Sequence, residues 1–132
     1  MTPASKANRP LVSIIIPSFN QGRFICDAVE SCLAQDYRPI DIVVIDGAST
    51  DGTVDTLHRY DHIHEVRWVS EPDRGVVEAV NKGFMLARGE IGAIQSSDDC
   101  YLPGAAALAV DALCAEPTLG FVFGDIIKID AG

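Results

Sequence analysis

The chain of 132 residues reads as an α/β protein with a mostly parallel sheet and helices on both faces. Three observations predict that class. Short β-branched runs alternate with longer stretches of helical periodicity, as in β–α–β units joined by right-handed crossovers. The β runs are almost continuously apolar, which suits strands buried on both faces. Polar and acidic clusters follow directly on the strand ends, where open α/β sheets bind their ligands.

Each element has a local cause. Residues 11–16 form a β-branched run that Pro17 is expected to stop. Phe24, Ile25, Ala28, Val29, Cys32 and Leu33 then recur on one helical face. Residues 40–45 are a second buried strand, and residues 46–52 a polar turn. Residues 53–60 read as a short helix with Asp51 in position to cap it. Residues 66–69 make a third strand. Val76, Val77, Val80, Phe84 and Ala87 give another helical stripe, ended near Gly89. Residues 91–94 are a fourth strand, Pro103 stands where a helix starts, and residues 105–114 continue it. Residues 121–129 are a last extended stretch. Residues 1–10, with Pro3 and Pro10 and no apolar core, are a polar extension, leaving residues 11–132 as the domain.

Composition narrows the function. Hydrophobic residues make up 48% and charged residues 22%, a globular balance that excludes a disordered tail, a collagen-like fibre or a disulfide miniprotein. No apolar run approaches the roughly 20 residues that span a bilayer. Ten basic residues against nineteen acidic ones give a net charge of −9, so broad nucleic-acid affinity is not expected. A small anionic ligand would need a metal ion or local basic groups to neutralise it. Cys26, Cys32, Cys100 and Cys114 form no CxxC pair and read as reduced thiols of a cytoplasmic protein. His58, His62 and His64 have no zinc spacing, and Trp68 reads as a core residue.

Three clusters carry chemistry. Ser97-Asp98-Asp99 follows the fourth strand; paired carboxylates suit a hard divalent ion such as Mg²⁺, and the alternative is an exposed loop whose aspartates cap the next turn. Asp46 sits at a strand tip, placed to accept hydrogen bonds from a base or ribose, and Gly47 and Gly52 permit the turn around it. Asp73-Arg74-Gly75 precedes a helix carrying Asn81 and Lys82; Arg74 either meets phosphate there or belongs to a turn. The segment from Pro17 to Gly22 is neither a dinucleotide fingerprint nor a Walker loop, which removes NAD enzymes and P-loop NTPases.

Taken in order, these segments resemble family 2 glycosyltransferases of the GT-A fold. The matching text is Val12-Ser13-Ile14-Ile15-Ile16-Pro17-Ser18-Phe19-Asn20, then Ile45-Asp46-Gly47-Ala48-Ser49-Thr50-Asp51-Gly52-Thr53. Glu71-Pro72-Asp73-Arg74-Gly75, Asn81-Lys82-Gly83-Phe84 and Ala87-Arg88-Gly89-Glu90-Ile91 follow, and Ser97-Asp98-Asp99 to Ala105 closes the series. The resemblance implies transfer of a sugar from a nucleotide diphosphate donor, a UDP-sugar, to an acceptor hydroxyl with inversion. It implies Mn²⁺ or Mg²⁺ as cofactor. Carried over, Pro17, Ser18, Phe19 and Asn20 line the nucleotide pocket, and Asp46 holds the base or ribose. Asp73 and Arg74 lie near the diphosphate, with Asn81 on the helix behind. Asp98 contacts ribose or sugar, and Asp99 is the metal ligand of the DxD-type motif.

Several positions depart from the family pattern. Gly47 stands where many relatives have a second acidic residue, Ser96 where the motif has its first aspartate, and Gln95 where relatives have a buried apolar residue. The sequence stops before the region expected to hold the acceptor site and catalytic base, and Asp125 reads as a strand-end residue. The expectation is a donor-binding half that transfers sugar poorly, with residues 121–129 exposing an apolar edge that favours a homo-oligomer. Localisation is expected in the cytoplasm or peripherally at the inner face of its membrane. The competing reading is a non-catalytic nucleotide-sugar-binding or assembly module. A receiver-like signalling domain is disfavoured because Pro17-Ser18 stands where that fold carries acids.

Overall fold

The computed structural model describes residues 9–124 and 126–129. Strands and helices alternate along them: β1 (Val12–Ser18), α1 (Ile25–Leu33), β2 (Ile40–Asp46), α2 (Thr53–His58), β3 (Val66–Ser70), α3 (Val76–Leu86), β4 (Ile91–Ile94) and α4 (Ala105–Ala115). The strands form one sheet in the order β3-β2-β1-β4, and every neighbouring pair is parallel. The chain steps outward from β1 to β3, then crosses back to lay β4 on the other side of β1. That reversal makes the carboxyl ends of β1 and β4 a topological switch point, where such sheets bind ligands.

Two-sided burial explains the continuous apolar runs. Every position of β1 and β2 is buried. Val12, Ile14 and Ile16 join Ile42 and Val44 in a core with Ile25, Val29 and Cys32 of α1, Leu57 of α2 and Val110 of α4. Ile15, Val43 and Ile45 face the opposite way and meet Ala79 of α3. Helices therefore cover both faces, as expected.

The α3 stripe differs from its sequence reading. Its buried residues are the small ones, Ala79 and Gly83. A Cβ at Gly83 would collide with Ile15 Cγ2, so glycine is what lets α3 lie close on the sheet. Val76, Val77 and Phe84 remain exposed, because only one narrow side of α3 meets the sheet. Pro17 also fails to end β1, which runs on to Ser18. The Gln95 amide donates to Ile15 O, so Pro17 faces the same β4 side two residues further on, where β4 has already stopped. No partner there needs its missing N–H.

At the amino-terminal edge of the sheet one carboxylate ties the strands together. Asp41 of β2 accepts from Ser13 Oγ at 2.9 Å, from Arg67 Nε at 3.0 Å and Nη2 at 2.9 Å, and from Arg88 N at 3.1 Å. Ser13 Oγ in turn accepts from Gly89 N at 2.8 Å, just before β4. Nothing in the sequence reading singled out this network.

The expected strand over residues 121–129 is not formed among the described residues. Phe121, Phe123, Ile126, Ile127 and Ile129 are exposed there, and Asp125 lies outside the described residues. So do residues 1–8 of the extension, whereas Pro10 O accepts the Tyr37 hydroxyl. Among the described residues no helix is long and apolar enough to cross a membrane.

Candidate functional site

A cleft of ≈ 330 Å³ opens at the carboxyl ends of β1 and β2, lined by Pro17, Ser18, Phe19, Gln21, Gly47, Asp73, Gly75, Val76 and Ala79. Four of these, Pro17, Ser18, Phe19 and Asp73, are sequence-predicted site residues. The start of α3 forms one wall, so the free amides of a helix N-terminus border the cleft, an arrangement that favours anions. Phe19 leaves 61% of its surface open. Ser18 Oγ is closed off from solvent and has no hydrogen-bond partner among the described residues. An orphaned buried hydroxyl is rare enough to require an explanation, and a ligand is one.

The loops after β1 and β2 are laced together beside this cleft. Asp46 is fully buried and accepts from Ser49 N at 2.9 Å, Ser49 Oγ at 2.6 Å and Ser70 Oγ at 2.7 Å. Ser49 Oγ accepts from Asn20 N at 2.8 Å, and Asn20 Oδ1 accepts from Thr50 N at 2.9 Å. Asn20 adopts a left-handed φ of 51°, which asparagine tolerates better than most residues. Asp46, expected at a strand tip to accept hydrogen bonds from a base or ribose, is enclosed, and the bonds it makes are internal. Ser70 reaches it because β3 pairs with β2 in the register Asp46↔Ser70, a contact that no local pattern announces.

Asp51 acts one residue earlier than a standard cap. The N-cap of α2 is Gly52, at a φ of 95°. Asp51 accepts from Thr53 N at 3.1 Å, Thr53 Oγ1 at 2.5 Å and Gly22 N at 2.9 Å, binding the first loop to α2. The Thr53 hydroxyl and the Gly22 amide hold its carboxyl below the ordinary range.

The other predicted residues divide. Asp73 Oδ1 accepts from Gly75 N at 3.0 Å, and a Cβ at Gly47 would come within 3.0 Å of that carboxylate. Glycine at 47 therefore makes room for Asp73 against the β2 turn. Arg74 is 95% exposed and its nearest acid is Glu78 at 3.9 Å. Asn81 is exposed on α3 and does not line the cleft. Lys82 pairs with Glu71, which raises its pKa.

Asp98 and Asp99 lie beyond β4, on the far side of β1 from Asp46. Both are exposed. Beneath them Gln95 and Ser97 are buried, and Gln95 Nε2 donates to Asp99 O at 2.7 Å. Among the described residues no group of three or more His, Cys, Asp or Glu could hold a metal ion. Two exposed carboxylates still fit Mg²⁺ or Mn²⁺ as part of a ligand set, since these ions commonly take one or two carboxylates and complete their shell with phosphates and water. Partial burial, with Asp27 and Asp99 nearby, raises the Cys100 thiol, so it is not activated as a nucleophile.

Comparison with known proteins decides the family. Residues 13–130 match the model for glycosyl transferase family 2. The chain belongs to that family. This glycosyltransferase chain is 34% identical over 122 residues to chondroitin synthase of Escherichia coli, an alignment covering 92% of it and 18% of that relative. It superposes on a mannosyltransferase of Pyrobaculum calidifontis, solved with GDP-Man and Mn²⁺, with a TM-score of 0.79 and 33% identity over 90% of this chain and 36% of that one. Staphylococcus aureus TarS in complex with UDP-GlcNAc shares the fold, with a TM-score of 0.73 and 23% identity over 79% of this chain and 31% of that one. The chain thus spans well under half the length of these relatives. Its sheet is the GT-A-like core that the sequence predicted.

Gln21, Gly47, Gly75, Val76 and Ala79 line the cleft without having been assigned to it. Gly75, Val76 and Ala79 lay within or beside the quoted motifs, so proximity to Asp73 was a usable signal. Gln21 had none.

Proposed function

We propose that the cleft binds a nucleoside diphosphate sugar, a UDP-sugar, and that a divalent ion held through Asp99 supports inverting transfer of the sugar to an acceptor hydroxyl. The observation that carries this reading is the convergence at one sheet edge: the orphaned Ser18 hydroxyl and the start of α3 on one side of β1, and the two exposed carboxylates on the other. Pro17, Ser18 and Phe19 form the nucleotide wall, and the exposed Phe19 ring offers a stacking face. Asp73 and Arg74 lie toward the diphosphate, with Asn81 behind. Asp98 contacts ribose or sugar. Asp46 acts through Ser49 and Asn20, holding the nucleotide loop in shape. Mn²⁺ or Mg²⁺, when bound, offsets charge on the leaving diphosphate. The setting is the cytoplasm, where the donor is the partner.

A second reading, a guanosine donor, is favoured by the solved mannosyltransferase with GDP-Man at 33% identity. Calorimetric titration with UDP, GDP and their sugars, with Mn²⁺ and with EDTA, separates the two. Binding is expected with one base, to depend on the ion, and to lose that dependence in Asp99→Ala. Equal affinity in EDTA would refute the metal role. Binding with no slow donor hydrolysis would favour a non-catalytic binding module.

A further inference from the structure

The loop that carries Asp98 and Asp99 runs from the end of β4 to α4 without regular structure, yet its backbone is fixed at several points by polar side chains. Gln95 is 4% exposed and lies next to β1, its backbone N–H donating to Ile15 O at 2.9 Å. Its Nε2 donates to Asp99 O at 2.7 Å, and Asp99 N donates to Ser96 O at 3.2 Å, closing the acidic turn. From α1, Ser31 Oγ accepts from Tyr101 N at 3.0 Å while donating to Ala28 O at 2.8 Å. Gln35, 3% exposed, donates Nε2 to Leu102 O at 3.0 Å, and its Oε1 accepts from Ala106 N at 3.0 Å.

Burying an amide costs free energy unless it is hydrogen-bonded, and apolar side chains of the same volume would serve the core better. Each of these three side chains places at least one bond on the backbone between Asp99 and the start of α4, while Ser31 Oγ also bonds Ala28 O and Gln35 Nε2 also bonds Ser31 O. The loop's own carboxylates remain unclaimed by any hydrogen bond among the described residues.

We propose that Gln95, Ser31 and Gln35 are positioning residues that hold the Asp98–Asp99 turn in the shape a divalent cation requires. Gln95 sets the position of Asp99 directly, and Ser31 of α1 and Gln35 just beyond it anchor the outgoing limb of the loop. Small divalent ions demand near-ideal ligand placement, and a site whose supporting shell is loose binds poorly even when its ligands are present. The inference rests on the reading of Asp99 as a cation ligand.

Titration of the protein with Mn²⁺, followed by the electron paramagnetic resonance signal of the free ion, tests it, with UDP in one arm and GDP in another. Gln95→Met conserves volume but cannot donate. Its Mn²⁺ affinity is expected to fall about fivefold, the equivalent of one lost hydrogen bond, with its melting temperature close to that of the parent. Ser31→Ala removes the Tyr101 anchor at a half-buried helical position that alanine favours, and a smaller loss is expected. Unchanged Mn²⁺ affinity in both variants overturns the inference, as does a loss that only follows a lowered melting temperature. If Gln95→Met does not fold, Ser31→Ala decides alone, and unchanged affinity there is the overturning result. Absence of Mn²⁺ binding to the parent with either nucleotide would refute the cation role of Asp99 and this inference with it. Binding to the parent that Asp99→Ala abolishes but both Gln95→Met and Ser31→Ala leave intact would refute the inference alone.

Discussion

Asp46 shows how a single carboxylate can serve a site without facing it. Its oxygens accept from Ser49 and Ser70, and its surface is fully enclosed. Removing it leaves those hydroxyls and an amide without their acceptor and opens a void beside the sheet. Asp46→Ala is therefore expected to destabilise the fold by about 3 kcal/mol, since hydrogen bonds to a charged group contribute about 1.5–3 kcal/mol each. Urea denaturation measures this, and nucleotide affinity should fall with it as the Asn20 loop loosens. An unchanged unfolding midpoint would show that the buried bonds contribute little. Asp51 gives a pH signature at the same scale. Its folded carboxyl lies below the unfolded value of about 3.9, so its stabilisation is present above that value and is lost as pH falls through the lower folded one. The stability gap between the parent and Asp51→Asn should be open at neutral pH and close in acid; a gap constant with pH would contradict the assignment.

Among the elements, the amino-terminal edge of the sheet carries the heaviest polar dependence. Asp41 draws together β1, β2, β3 and the entry to β4 through Ser13, Arg67 and Arg88, and Arg67 also donates to Leu86 O at the end of α3. Taking away the carboxylate strands a partly buried guanidinium, and broken buried pairs commonly cost about 3–5 kcal/mol. Asp41→Ala should lose about 3 kcal/mol, somewhat less than a fully buried pair because the Arg67 side chain is 28% exposed. A double-mutant cycle with Arg67→Met should return most of that loss as coupling; additive single effects would show that the pair is not the source. This edge lies opposite the cleft, so nucleotide affinity should change little in whatever folded fraction remains.

For the molecule as a whole, exposed apolar surface is the feature with consequences. Val76, Val77, Phe84, Met85 and Ile94 on the α3 side, and Phe121, Phe123, Ile126, Ile127 and Ile129 beyond α4, are open to solvent. Large apolar side chains open to solvent favour association, and among the described residues β4 forms one edge of the sheet, which a second strand can extend. Self-association that grows with concentration is expected in light scattering, and Phe123→Lys with Ile127→Lys should suppress it. A clean monomer at high concentration would count against the prediction.

Local sequence by itself determined the alternation of elements, the parallel sheet and the placing of Asp46 at a strand end and of Asp73 and Asp98–Asp99 after strand ends. Burial on both faces and helical periodicity are properties of neighbouring residues, so a linear reading captures them. Which clusters meet was decided only by tertiary structure. Strand order put Asp98 and Asp99 across β1 from Asp46, and strand register brought Ser70 under Asp46. The absence of a side chain at Gly47 brought Asp73 against the β2 turn, and the buried Gln35 took hold of the loop beyond the acidic pair at Leu102. These contacts join residues tens of positions apart, and their energy lies in hydrogen bonds and close packing that no local pattern records.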